Sequence, residues 1–256
     1  MRSLLPAATD QVDLVEMYSR EVRPPSGRPF VRVNMVSTLD GAIALGGRAR
    51  EISGPADRSL FFVLRSLADV VLVGAGTVRA ESYGPVKLPE DVQRTRLGRG
   101  QSPLPRLAMV TRRVDLDFSS RLFVGSSPRP LVIAPGGADT RRLAEARLVA
   151  DVVTSGTQTV DLPSALAALG DQGIRHILCE GGPTLNASLV AASLVDEFCL
   201  TFSPKLAPSK GEGVVRGWLQ NHTAGSLVQP VTGLMELGLV HVLEEDGFLF
   251  LRLRTG

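Results

Sequence analysis

From Phe30 onward, short runs of consecutive apolar residues alternate with segments of helical periodicity. Residues 69–73, 107–110, 131–134 and 174–179 read as such runs, and residues 30–36 are a further strand candidate. A strand that is apolar at every position needs cover on both faces, which parallel strands joined by crossover helices receive. Residues 56–68 carry the helical pattern, with Leu60, Phe61, Leu64 and Leu67 on one stripe and Asp57 in the first turn. Residues 139–148 and 162–169 read as further helices. The pattern predicts an α/β domain with a largely parallel sheet.

The C-terminal part reads differently. Residues 195–202, 233–243 and 248–253 have strand character without long helices between them, and Glu244-Glu-Asp-Gly247 is a hairpin-type turn. The sheet is therefore expected to be mixed, with antiparallel strands at that end. Residues 1–28 read as a polar leader with a short helix at 12–18, closed by Pro24-Pro25 and Ser26-Gly27. Residues 29–256 read as one domain. Residues 84–105 hold four Pro and three Gly and are expected to be a long flexible loop.

Composition excludes several classes. At 256 residues, 44% hydrophobic and 21% charged, the chain can bury a core, and a net charge of +2 gives no electrostatic case for nucleic acid. No apolar run is long enough to span a bilayer, and the first residues lack a signal-peptide core, so a cytoplasmic protein is expected. Cys179 and Cys199 sit in apolar runs and read as buried thiols in a reducing compartment. Two Cys and three scattered His build no zinc cluster, so no metal and no zinc-dependent deamination are expected.

Two glycine turns carry the chemistry. Gly74-Ala75-Gly76-Thr77 follows the run at 69–73 and precedes a helix expected near Val78. Glu180-Gly181-Gly182-Pro183-Thr184-Leu185 follows the run at 174–179, with Pro183 suited to a first helical turn. Exposed backbone N–H groups at such turns suit phosphates. Each alone also reads as a plain strand-to-helix turn; as a pair at neighbouring strand ends they would face one crevice. Thr111, Arg112 and Arg113 close another run and could hold an extra phosphate, or form a solvated loop. Tyr83-Gly-Pro-Val-Lys87 has the spacing of the catalytic pair of short-chain dehydrogenases, but Gly84 and Pro85 prevent the helix that pair requires.

The segments Asn34-Met-Val-Ser-Thr38-Leu-Asp40-Gly41, the run from Val71 through Gly74-Ala-Gly76-Thr77 to Ala80, and Leu178-Cys-Glu180-Gly181-Gly182-Pro183-Thr184-Leu185 occur in one order. Together they resemble the reductase domain of bacterial riboflavin biosynthesis, the C-terminal half of the bifunctional deaminase–reductase, across roughly residues 30–254. The resemblance implies a dihydrofolate-reductase-like three-layer fold, NADPH as cofactor, and a homodimer. It places the two glycine turns around the cofactor phosphates, with a cis bond expected between Gly181 and Gly182, and Thr111 and Arg112 at the 2′-phosphate. It implies substrate contacts for Asn34, Thr38, Ser53 and Arg65. Ser53 reads equally as a helix cap, and Arg65 as a surface residue.

The chain departs from the family pattern at Asn34, where lysine is usual. A small-molecule substrate is expected, either the riboflavin intermediate 5-amino-6-(5-phosphoribosylamino)uracil or dihydrofolate or a related pterin; a protein that binds NADPH without catalysis stays open. Asn34 and Asp40 are the candidate catalytic residues, because His176, His222 and His241 all lie outside the motifs. Asp40, or a bound water, is the expected proton source, although Asp-Gly is also a turn signal.

Overall fold

The computed structural model describes residues 1–19, 24–81, 83–207 and 235–256. His222, Gly233 and Leu234 lie outside the described residues. The strands expected from the sequence form as β2 (Phe30–Thr38), β3 (Val70–Gly74), β4 (Arg106–Val110), β5 (Leu131–Ala134), β7 (His176–Cys179), β8 (Glu197–Ser203), β9 (Leu237–Glu245) and β10 (Phe248–Thr255), and two strands the sequence did not announce, β1 (Arg2–Leu5) and β6 (Asp151–Thr154), join them. They make one sheet in the order β1-β9-β10-β8-β2-β7-β3-β4-β5-β6. All pairings from β8 across to β6 are parallel; β1–β9, β9–β10 and β10–β8 are antiparallel. The mixed, mostly parallel α/β sheet is therefore the observed fold.

Helices cover both faces. α6 (Leu162–Asp171) and α7 (Pro183–Ala191) pack against one face through Leu166, Leu169, Leu185 and Leu189, over Val33, Leu72 and Ile133. On the other face, α5 (Thr140–Val149) packs on Val71, Met109 and Val132, while α1 (Leu14–Ser19) and α2 (Pro55–Leu67) pack on Leu178, Cys199 and Phe250. Val70, Val71, Leu72 and Val73 of β3 are all fully buried, as a strand covered on both sides must be.

Three expectations are corrected. The residues expected as a flexible loop at 84–105 contain α4 (Glu90–Gly98). Val86 and Leu88 are buried in the core, and the buried Arg96 donates to the carbonyls of Ser66, Ala68 and Ser102, which ties α4 to the end of α2. The leader is also more than a helix, since β1 pairs with β9 and occupies the sheet edge. β9 is thus not an open edge. Finally, the described cis peptides are Leu5–Pro6 and Ser127–Pro128, so the Gly181–Gly182 bond is trans. The chain turns there through positive φ at both glycines, 98° and 80°.

The end of the sheet remote from the glycine turns is held by charge. Glu197, fully buried, accepts from Arg32 and from Arg252 at 2.7 Å. The same arginines donate to the carbonyls of Tyr18 and Met17, pinning α1 to the sheet. Burial pushes the Glu197 carboxyl up, but Arg32 and Arg252 outweigh it and hold it below the usual carboxylate range. Glu197→Gln leaves two buried guanidinium groups short of their counter-charge and is expected to cost about 3–5 kcal/mol in urea unfolding. A lowered carboxyl stabilises the fold fully above its unfolded value of about 4.3 and loses that contribution as pH falls below it. Stability of the parent protein should therefore drop below about pH 4 more steeply than that of Glu197→Gln.

Candidate functional site

The two glycine turns meet. β3 and β7 are parallel neighbours, and their ends are joined by Gly74 N–H donating to the Gly181 carbonyl at 2.9 Å. One strand step earlier, Glu180 N–H donates to the Leu72 carbonyl at 3.0 Å. α3 (Ala75–Glu81) begins directly after Gly74, so Ala75, Gly76 and Thr77 form its first turn rather than a loop before it. α7 begins at Pro183, with Gly182 as its N-cap. A Cβ at Gly181 would meet Met35 Sδ at 3.2 Å, and one at Gly182 would meet Thr77 Oγ1 at 2.8 Å. The second turn therefore has room for backbone only, and both turns keep an open front.

That front is a cavity of about 1910 Å³ at the carboxyl ends of β2, β3, β4 and β7. Its lining includes Gly74, Ala75, Gly76, Thr77, Glu180, Gly182, Pro183, Thr184 and Leu185. Thr111, Arg112 and Arg113 line it from the end of β4. Arg112 and Arg113 are exposed, while Thr111 is buried and accepts from Val114 N–H at 3.0 Å. Gly181 lies beneath the surface of the cavity.

The substrate-side expectations divide. Asn34 lines the cavity, and its buried Oδ1 has no hydrogen-bond partner among the described residues. Ser53 also lines it, but Gly54 is the N-cap of α2; the Ser53 hydroxyl instead donates to Asp57 Oδ2 at 2.6 Å. Arg65 lines the cavity with its guanidinium already engaged, donating to both Glu180 oxygens at 2.5 and 2.6 Å and lying 4.1 Å over the Phe61 ring. Burial lowers the Arg65 guanidinium, yet Glu180 outweighs burial and leaves it raised. Tyr83 completes this unit, its hydroxyl donating to Glu180 at 2.8 Å, and burial together with Glu180 lifts its phenol well above 10. Glu180 is thus an anchor, and Arg65 offers a ligand only what the ion pair leaves.

Thr38 and Asp40 are outside the cavity lining. Thr38 is fully buried and bonds Asp40 and Ala42 within its own turn. The exposed Asp40 carboxylate accepts the Thr38 hydroxyl at 2.6 Å and Ala207 N–H at 3.1 Å. Those bonds hold its carboxyl below the usual range, the wrong direction for a proton donor near neutrality. Asp40 orders the segment after β8; it is corrected as a catalytic candidate. Sequence reading missed Asp57, Phe61 and Tyr83. The signal for the first two was their i, i+4 spacing with Arg65 on one helix stripe.

Among the described residues, no cluster of His, Cys, Asp and Glu could hold a metal ion, and no helix is long and apolar enough to cross a membrane.

Residues 29–223 match the family model for the RibD C-terminal domain. The 2,5-diamino-6-ribosylamino-4(3H)-pyrimidinone 5′-phosphate reductase of Methanothermobacter thermautotrophicus is 33% identical, over 73% of this chain and 86% of that one. Its counterpart from Archaeoglobus fulgidus is 32% identical, over 69% and 81%. Among solved structures, a pyrimidine reductase-like protein from Corynebacterium diphtheriae superposes with a TM-score of 0.79 at 27% identity, covering 94% of this chain and 98% of that one.

The tight contact at Gly182 yields a test. Gly182→Ala puts a side chain at φ 80° and against Thr77 Oγ1. We expect a loss of about 1–3 kcal/mol in chemical unfolding, where Gly76→Ala, which meets nothing within 4 Å, should lose less than about 1 kcal/mol.

Proposed function

The chain belongs to the RibD C-terminal domain family, and on that premise we propose that it is an NADPH-dependent reductase of a ribosylamino-pyrimidine nucleotide. One observation carries the reading: two glycine turns, hydrogen-bonded to each other at neighbouring strand ends, open on one large cavity. The cavity has room for a dinucleotide and a heterocycle together, and Gly182 against Thr77 is a cradle that any side chain would fill. Free backbone N–H groups at the start of α7, with the dipole behind them, suit a pyrophosphate.

In this reading Ala75, Gly76, Thr77, Gly182, Thr184 and Leu185 face the cofactor phosphates, and Pro183 sets the first turn of α7. Gly74 and Gly181 hold the turns together, and Glu180 anchors the wall through Arg65 and Tyr83. Thr111 and Arg112 receive the 2′-phosphate. About 14 Å separates β2 from β4 across three strand spacings, a span suited to an extended dinucleotide. Asn34, Ser53 and the remaining edge of Arg65 face the substrate. When bound, NADPH supplies a hydride to a C=N or carbonyl carbon; the chain orients donor and acceptor. The proton comes from water entering the open cavity, since the Asp40 carboxylate is engaged by the Thr38 hydroxyl and Ala207 N–H.

Asn34 in place of the family lysine favours a second substrate, a dihydropterin. Assays with NADPH and each heterocycle decide between the two. Turnover of neither, with tight NADPH binding, would replace the enzyme reading with a binding protein. We expect Arg112→Ala to weaken NADPH roughly tenfold or more and leave NADH within about twofold, read by calorimetry. Equal effects on both would remove Arg112 from the 2′-phosphate.

We assign the protein to the cytoplasm, where the buried thiols Cys179 and Cys199 stay reduced. We also propose a homodimer. β1 covers β9, so the apolar surface left open is a face and not an edge: the exposed Leu5, Leu239 and Leu249 lie on the side of β1, β9 and β10 away from α1 and α2. Light scattering at micromolar concentration should give twice the chain mass; a single-chain mass contradicts the dimer.

A further inference from the structure

After β4 the chain turns sharply, and one residue of the turn holds a conformation that its side chain disfavours. Thr111 and Val114 are buried, and the exposed Arg112 and Arg113 form the corner between them. Val114 has φ 54°, in the left-handed region. Crowding of Cβ against the backbone makes that region costly for residues other than glycine, and most of all for a β-branched one. Among the described residues, the others at positive φ that are not glycine, Ser193 and Asp246, have short polar side chains and are exposed. Val114 is β-branched and fully buried.

Such a residue persists only where its surroundings over-determine it. The Val114 side chain lies in the core cluster that contains Leu116, Leu122, Phe123 and Leu143. Its N–H donates to Thr111 Oγ1 at 3.0 Å. Its carbonyl accepts from Leu116 N–H at 3.0 Å and from Arg142 Nε, on α5, at 3.2 Å. The same guanidinium donates to the Leu116 carbonyl and to Glu145, both at 2.6 Å, and lies 4.8 Å over the Phe118 ring. Arg142 is therefore a strut between α5 and the residues that follow the corner. From the other side, Arg79 of α3 donates to the Asp115 carbonyl at 2.8 Å.

The corner faces the ligand side. Thr111, Arg112 and Arg113 line the large cavity, and the two arginines also line a second cavity of about 320 Å³ with Gly137, Asp139 and Gln158. Val114 N–H occupies an acceptor position of the Thr111 hydroxyl, which leaves the hydroxyl hydrogen to donate to a ligand. A hydroxyl donor beside two adjacent guanidinium groups suits a phosphate monoester. Val114 and Arg142 line neither cavity, so each can act on a ligand only through the corner.

We propose that Val114 and Arg142 are positioning residues for dinucleotide selection: the left-handed turn, held by the Arg142 fork, presents Thr111, Arg112 and Arg113 together to the 2′-phosphate. The proposal rests on the reductase reading of the cavity and deepens it, since the choice between phosphorylated and unphosphorylated carrier is then set from behind the contact residues.

The test is calorimetry on the full chain with NADPH and with NADH, read as the ratio of the two Kd values beside thermal unfolding of each variant. Arg142→Lys keeps the charge, but an ammonium lacks the planar fork that spans both carbonyls; Arg142→Met loses charge and fork together. We expect either variant to cut the preference for NADPH roughly tenfold while NADH affinity stays within about twofold of the parent. Val114→Gly adopts positive φ without strain and keeps both backbone ties, so its preference should stay within about threefold of the parent although lost packing lowers its melting temperature. Selectivity and stability then part company, which a merely structural role would not produce. Parental preference in both Arg142 variants overturns the proposal. So does parental preference in Arg142→Lys alone, which would make Arg142 a distant charge, and so does a Val114→Gly that stays folded and loses preference as fully as Arg142→Met. The reductase reading fails differently: a parent that holds NADPH no tighter than NADH, or a preference that survives Arg112→Ala, removes the 2′-phosphate from this corner. A preference lost in Arg112→Ala and kept in the Arg142 variants overturns the positioning role alone.

Discussion

The hydrogen bond from Gly74 N–H to the Gly181 carbonyl is the constraint around which the site is arranged. It fastens the ends of two neighbouring parallel strands, so that the helices after them, α3 and α7, start side by side. Parallel strands all deliver their carboxyl ends to one edge of the sheet, and a crevice there is the consequence of the topology. Glycine at 181 and 182 follows from packing, because Met35 and Thr77 occupy the space a side chain would need. The same crowding that forbids a side chain brings bare backbone to the cavity surface.

Two ion-pair units frame this arrangement at opposite ends of the molecule. Arg65 and Glu180 lock α2 to the end of β7 and so fix the wall opposite α3. At the far end, Glu197 with Arg32 and Arg252 docks the N-terminal helix under the antiparallel strands. Burial forces each carboxylate to be satisfied, and the partners are arginines because a planar fork can bond an acid and still reach a carbonyl. Asp57 is a further buried acid on the cavity wall, with the Ser53 hydroxyl donating to its Oδ2.

Much of this was legible in the chain. Continuous runs such as Val70–Gly74 announce strands buried on both faces, and the strand-glycine-helix spacing placed both turns correctly at one crevice. What escaped has physical reasons. β6 and β1 are four-residue edge strands with only two apolar residues each, and β1 buries Ser3 while exposing Leu4 and Leu5, so neither has the apolar run that betrays a strand. α4 has few apolar residues and is ordered by the bonds of Arg96 to distant carbonyls, a long-range cause invisible to periodicity. Asp40 resembled a catalytic acid because it sits in a motif; its bond to Ala207, more than 160 residues away, shows why the motif needs it. Asp57 looked like an ordinary acidic first-turn residue, and only the fold reveals that its stripe faces the cavity.

Amide hydrogen exchange, followed by mass spectrometry with and without NADPH, bears most directly on the claim that the two fastened turns grip one phosphorylated carrier. The account predicts that peptides covering Gly74–Ala80 and Gly181–Leu185 slow together and to the same saturation point as NADPH is added, while the strands around Glu197 do not change. Protection of one turn without the other, or of neither at a concentration where heat of binding is seen, would contradict it.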